Sequence, residues 1–228
     1  MSETTTLKAA DGHAFPAYIA RPAGPAKGGV VVLQEIFGVN SHIRSVADRY
    51  AAAGYFAVAP STFSRIGKGD LEIGYTEADM KEGMGLKAAV EALPAPGVMP
   101  DIQAAIDHAA QAGKVGIVGY CWGGLLTWRA ACTLKGLSAA APYYGGGMTM
   151  PDEAARKPQV PVMAHFGDQD HWIPLDSVEA FKKAQPGATV HVYHANHGFN
   201  CDQRGSYNEA AATLARERTL AFFAQHVG

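Results

Sequence analysis

The stretch Lys114-Val115-Gly116-Ile117-Val118-Gly119-Tyr120-Cys121-Trp122-Gly123-Gly124 decides how the whole chain is read. Lys114 to Val118 is largely apolar and β-branched, as a strand buried on both faces should be. Gly119, Gly123 and Gly124 then crowd a single cysteine. The spacing Gly-x-Cys-x-Gly is that of a nucleophile elbow, a sharp strand-to-helix turn, with sulfur in place of the usual hydroxyl. The elbow needs small neighbours because the nucleophile sits at strained dihedrals while strand and helix pass close on either side. The helix expected over Leu125 to Leu134 aims its N-terminal N–H groups at the sulfur and favours negative charge there. Cys132, on the same helix, reads as an ordinary core cysteine. Core packing gives no reason for the glycine cage around Cys121.

Working outward, apolar strands alternate with helical periods. Thr4–Ala9 and Ala14–Arg21 read as a hairpin turning at Asp11-Gly12. Further strands are expected at 29–34, 55–59, 137–143, 161–166 and 189–193. Helices are expected from about Ser41 to Gly54, from Thr76 to Leu93, between Pro100 and Gly113, from Asp176 to Ala184, and from Ser206 to Gln225. Residues 61–75 form the least regular segment, with Arg65 and Lys68, and are placed to overhang a site. The alternation implies one α/β domain spanning residues 1–228, a mostly parallel central sheet with helices on both faces. Chemistry in such sheets gathers beyond the carboxyl ends of the strands. Glu35, Cys121, Tyr143, Asp170 and His197 all follow strands directly.

Composition narrows the class. With 228 residues, 48% hydrophobic and 18% charged, a large core is easily built. A formal net charge of -2 offers no field for nucleic acid and no polybasic run for a membrane surface. Three cysteines without a CxxC pair argue against a disulfide framework or a structural zinc site. Met1 to Thr6 has neither a basic nor an apolar signal region, and no apolar run approaches the ~20 residues of a membrane helix. The expectation is a cytoplasmic protein, monomeric or a small homo-oligomer, acting on a small molecule.

A cysteine nucleophile needs a base, and the base an orienting group. Elbow hydrolases run nucleophile, acid, histidine, which here gives Cys121, Asp170 and His197. Asp170 is preferred to Asp168 because it stands a few residues before Pro174, which can open the next helix. His191 and His194 lie an odd number of residues apart beside a strand, so they face opposite ways and form no metal cluster with His197; no metal is expected. The backbone N–H groups of Trp122 and Ile36 are placed to hold an oxyanion. Glu35, a carboxylate directly after a buried strand, needs a partner such as Arg44 or Arg129, or a role in exchanging the thiol proton.

Gln34-Glu35-Ile36-Phe37-Gly38, Gly119-Tyr120-Cys121-Trp122-Gly123-Gly124, Tyr143-Tyr144-Gly145, Asp168-Gln169-Asp170 with Pro174, and Asn196-His197-Gly198-Phe199 together resemble the dienelactone hydrolase (carboxymethylenebutenolidase) family. The likeness extends over nearly the whole chain. It implies an α/β-hydrolase fold, no cofactor, a Cys-His-Asp triad, and opening of an enol-lactone to a keto acid in aromatic-compound breakdown. It also implies that Glu35 accepts the thiol proton when substrate arrives. Tyr143, Tyr144, Phe37, Phe199 and Arg204 are then the candidate substrate contacts. One departure concerns the two arginines that bind the substrate carboxylate in the family's type members. The second of these positions is Cys201 here, with Arg204 three residues off register, and the middle region offers only Arg65, Lys68 and Lys81. The leading reading is a cysteine hydrolase of lactones or esters working through a thioacyl-enzyme. The alternative is a catalytically silent α/β-hydrolase scaffold that binds a small metabolite.

Overall fold

A computed structural model describes residues 1–228. Eight strands form one sheet: β1 (Ser2–Lys8), β2 (Ala14–Ala20), β3 (Gly29–Leu33), β4 (Phe56–Pro60), β5 (Val115–Tyr120), β6 (Leu137–Tyr143), β7 (Met163–Gly167) and β8 (Thr189–Tyr193). Their spatial order is β1-β2-β4-β3-β5-β6-β7-β8. The first two strands pair antiparallel, β2 joins β4 antiparallel, and every pair from β4 to β8 is parallel. β3, β4 and β5 are buried along their full length, which explains their unbroken apolar sequence.

The helices are α1 (Ser41–Ala52), α2 (Glu77–Glu91), α3 (Met99–Ala109), α4 (Trp122–Thr133), a single turn α5 (Pro151–Ala154), α6 (Leu175–Ala184) and α7 (Glu209–His226). Register shows that they cover both faces. Gly29 lies beside Val115 and Val30 beside Gly116, so Gly29 and Gly116 point to opposite sides. A Cβ on Gly29 would meet Ala109 of α3, and one on Gly116 would meet Phe223 of α7.

Local chemistry sets the ends of the helices. Asn40 caps α1 through a bond from the Ile43 N–H, and Thr76 forms a reciprocal capping box with Asp79 at α2. α7 begins at Glu209 rather than near Ser206, because the Asn208 side chain accepts the Ala211 N–H at 3.0 Å and fixes the start there. The turn α5 is too short to carry a periodic signal. No helix is long and apolar enough to cross a membrane.

Candidate active site

β5 ends at Tyr120 and α4 begins at Trp122, leaving one residue to make the turn. That residue, Cys121, has φ 55° and ψ -119°, a conformation L-residues rarely adopt. Its backbone is held on both sides: the N–H donates to the Tyr143 carbonyl at 3.1 Å, and the carbonyl accepts the Gly124 N–H at 2.9 Å. The glycines are required by proximity. A Cβ on Gly119 would run into the Gly123 carbonyl, and one on Gly123 into the carbonyls of Gln34 and Leu33. A Cβ on Gly124 would lie 2.6 Å from the Tyr143 carbonyl oxygen. Strands β3, β5 and β6 thus meet α4 at backbone contact, and the cysteine is pushed out at the bend.

The half-buried Cys121 opens into a cavity of about 90 Å³ that His197 also lines. Asp170 is buried, and its Oδ2 lies 2.7 Å from His197 Nδ1. Its other oxygen accepts the Trp172 N–H at 2.8 Å, so the carboxylate cannot rotate away. Asp168 bonds instead to the exposed His194 and to the Ala195 N–H. His191 stacks on the buried His165 across β7 and β8. The three histidines therefore have three different sets of partners.

Burial by itself lowers the basicity of His197. The Cys121 charge, hydrogen bonds to Asp170 and Cys121, and the Asp170 charge together outweigh it and push the pKa up to about 10. A folded-state value above the ordinary 6.5 means that the protonated ring is stabilised. That contribution to stability is complete below pH 6.5 and is lost as the pH rises through about 10. NMR titration of the His197 ring checks this: Cys121→Ala removes the largest raising interaction, so the midpoint falls below that of the wild type. An unchanged midpoint would show that the sulfur does not act on the ring.

Ile36, in the turn after β3, and Trp122, the first residue of α4, both line the cavity. The first N–H groups of a helix have no acceptor within it, which leaves the Trp122 N–H free to donate. The Trp122 ring is fixed by stacking on Phe63 and by donation from Nε1 to Glu91 at 2.8 Å.

Glu35 is buried and accepts from Arg204 Nη1 at 3.2 Å. It pairs with neither Arg44, which binds Glu72, nor Arg129, which binds Glu91 and Glu153. Arg204 lines the cavity and lies over the rings of Phe37 and Tyr75. Burial opposes its charge, but Glu35 and then Cys121 outweigh burial and raise its pKa. Arg204 thus stands between Glu35 and the cleft.

Several expected contacts lie elsewhere. Tyr143 is fully buried, with its hydroxyl 2.7 Å from Thr219 of α7, so it packs the core and does not line the cleft. Tyr144 and Phe199 are also fully buried; Tyr144 packs edge-on behind His197, with ring centroids 5.1 Å apart, and Phe199 packs on Tyr144. Tyr144 supports the imidazole with Phe199 behind it, and neither lines the cavity. Phe37 does line the cavity. Arg65 is held by both oxygens of buried Asp101, at 2.9 and 2.6 Å, and by Asp11, so it is structural. No residue of 61–75 lines the cavity; Ile73 and Tyr75 brace Phe37 from behind.

The wall of the cavity is supplied by Met80, Met84 and Lys87, one face of α2, and by the exposed Trp172. Sequence reading missed all four. The spacing of the α2 residues marks a helix stripe, but nothing in the sequence says what that stripe faces. Gly83 brings the helix close, because a Cβ there would lie 2.5 Å from the Ile36 carbonyl oxygen.

A parallel sheet wound on both sides by helices, with a strand-to-helix elbow at its centre, is the α/β-hydrolase fold. Residues 15–227 match the model of the dienelactone hydrolase family, and the chain belongs to that family. The carboxymethylenebutenolidase of Pseudomonas putida is 34% identical over 233 residues, covering 98% of this chain and 97% of its own. A Salmonella typhimurium protein provisionally described as a carboxymethylenebutenolidase is 36% identical over 242 residues, 95% of this chain and 85% of its own. The crystal structure of a Klebsiella pneumoniae protein provisionally described as a dienelactone hydrolase is 34% identical, with a TM-score of 0.81 and coverage of 99% of this chain and 100% of that one. The protein is a hydrolase of this family.

Proposed function

We propose that this hydrolase opens enol-lactones or cleaves related carboxylic esters through a thioacyl intermediate on Cys121. The observation that carries the reading is that a cysteine at a strained elbow shares one small cavity with an imidazole backed by a buried carboxylate. The thiol proton passes to Glu35 while His197 keeps its own proton, and the Cys121 sulfur attacks the carbonyl carbon. The developing oxyanion takes the N–H groups of Ile36 and Trp122. Collapse breaks the acyl carbon–oxygen bond, and the leaving enol oxygen takes a proton from His197. Water then gives a proton to His197 and attacks the thioester; the carbon–sulfur bond breaks, the acid leaves, and the sulfur recovers its proton from Glu35. Asp170 keeps the imidazole in the required tautomer throughout.

The cleft carries two cations, Arg204 and Lys87, beside apolar walls. A substrate carboxylate drawn to Arg204 would compete with Glu35 for the guanidinium and leave Glu35 free to take the thiol proton. The test is turnover of lactones that bear a free carboxylate against their methyl esters. The wild type should prefer the carboxylates, and Arg204→Gln should lose about 10- to 100-fold in kcat/KM on them alone, the worth of one charged hydrogen bond. Equal use of both substrate sets by the wild type would set this recognition aside.

A further inference from the structure

We propose that Glu35, His42 and Cys201 form a buried binding site for a zinc-class divalent cation, next to the cleft but separate from the cysteine nucleophile. One donor atom from each of the three residues lies within 4.8 Å of the other two, and all three residues are buried. Two of the side chains end in unpartnered atoms. Glu35 uses Oε1 for Arg204, leaving Oε2 without a partner, and His42 Nε2 has none. Leaving such atoms dry is costly, so something small is expected to satisfy them.

The donor set selects the ligand. Oxygen, imidazole nitrogen and thiolate sulfur together suit zinc and its neighbours, whereas magnesium and calcium require oxygen throughout. The other His42 nitrogen, Nδ1, lies 3.1 Å from Asp202 Oδ1, the carboxylate–imidazole arrangement that orients a histidine ligand. Asp202 is itself tied to Arg49 at 2.5 Å. Bonds to zinc of about 2.0–2.3 Å put tetrahedral ligands about 3.3–3.8 Å apart, so closing the set takes side-chain shifts of about 1 Å. On binding, the Cys201 S–H bond breaks, the sulfur bonds the metal, and the proton leaves to solvent. Two anionic ligands and a neutral imidazole then balance the cation. The Arg204 charge stays on Glu35 Oε1 and limits the affinity. If Glu35 takes the thiol proton as proposed above, a cation on its Oε2 silences turnover; that consequence rests on the functional reading, and binding does not.

The experiment uses the full chain with Cys121→Ala, which removes the competing thiol in the cleft, and titrates it with Co²⁺. The expected result is one equivalent bound, with thiolate-to-cobalt charge transfer in the near ultraviolet and visible bands of a low-coordinate ion, displaced by Zn²⁺. The same spectrum should be absent when Cys201→Ser or His42→Gln is added, with circular dichroism verifying that each variant is folded. Cobalt bands that survive Cys201→Ser would overturn the site, as would no binding at micromolar metal, which would mean that the orphaned atoms share only a buried water. In the otherwise wild-type chain, Zn²⁺ should lower turnover at least 10-fold, reversibly by chelator, and Cys201→Ser should relieve this. A wild type inactive on every ester would sink the hydrolase reading and leave the cobalt titration to decide the site by itself.

Discussion

Asp170→Asn lowers kcat by about 10⁴-fold with little change in melting temperature. The carboxylate sits 2.7 Å from His197 Nδ1 with its side chain fully buried, and its second oxygen accepts the Trp172 N–H. An asparagine keeps the volume. Oriented to keep the Trp172 bond, it turns an NH₂ to His197 Nδ1 and requires the other tautomer of the ring; flipped, it loses that bond and offers the ring an uncharged carbonyl. The loss is one of orientation and charge, and the same change in a serine triad costs about that factor. A drop below tenfold, measured by steady-state kinetics on any ester the wild type uses, would mean that Asp170 is only a turn former.

Gly123→Ala destabilises the fold by about 3 kcal/mol or more, a fall in melting temperature of about 6–12 °C for a chain of this size. The sign runs against helix propensity, by which alanine in α4 should gain up to about 1 kcal/mol over glycine. Geometry decides the outcome. The new methyl would enter the carbonyls of Gln34 and Leu33, backbone atoms at the end of a fully buried strand. Relief requires α4 to move off β3, which also separates the N–H groups of Trp122 and Ile36. Calorimetry decides the matter, and an unchanged or raised melting temperature would refute the glycine cage.

The parts of the site that the sequence made legible are those where local backbone chemistry fixes the outcome. The run from Lys114 to Gly124 specifies strand, bend and helix without help from elsewhere. Asp170 and His197 each follow a strand, and a parallel sheet brings strand ends to one edge whatever the loops do. Side-chain direction was not legible. Tyr143, the last residue of β6, turns toward Thr219 of α7, and only the pairing of β6 with its neighbours determines which face that is. Tyr144 and Phe199 follow strands just as Asp170 and His197 do, yet they pack behind the imidazole.

Long-range pairings were equally hidden. Glu35 finds Arg204, 169 positions along the chain, through a loop with no periodic pattern to read. The cationic segment around Arg65 looked available to a ligand because the sequence does not reveal that Asp101 and Asp11 already hold it. Met80, Met84 and Lys87 reach the cleft because a glycine one position before Met84 lets α2 settle on Ile36. The closing wall of the cavity is therefore a property of packing between elements distant in sequence, whereas its reactive floor is a property of one bend and two strand ends.

The claim at the centre of this account is that acyl groups pass through the sulfur of Cys121. Rapid acid quench of the enzyme turning over a slow ester, followed by intact-mass and peptide mass spectrometry, tests it directly. The account predicts a single added acyl mass, labile to hydroxylamine, on the peptide containing Cys121, and slower loss of that mass from a chemically acylated His197→Ala variant. Turnover that proceeds with no acyl mass on Cys121, or with the mass on Cys132 or Cys201 instead, would contradict it.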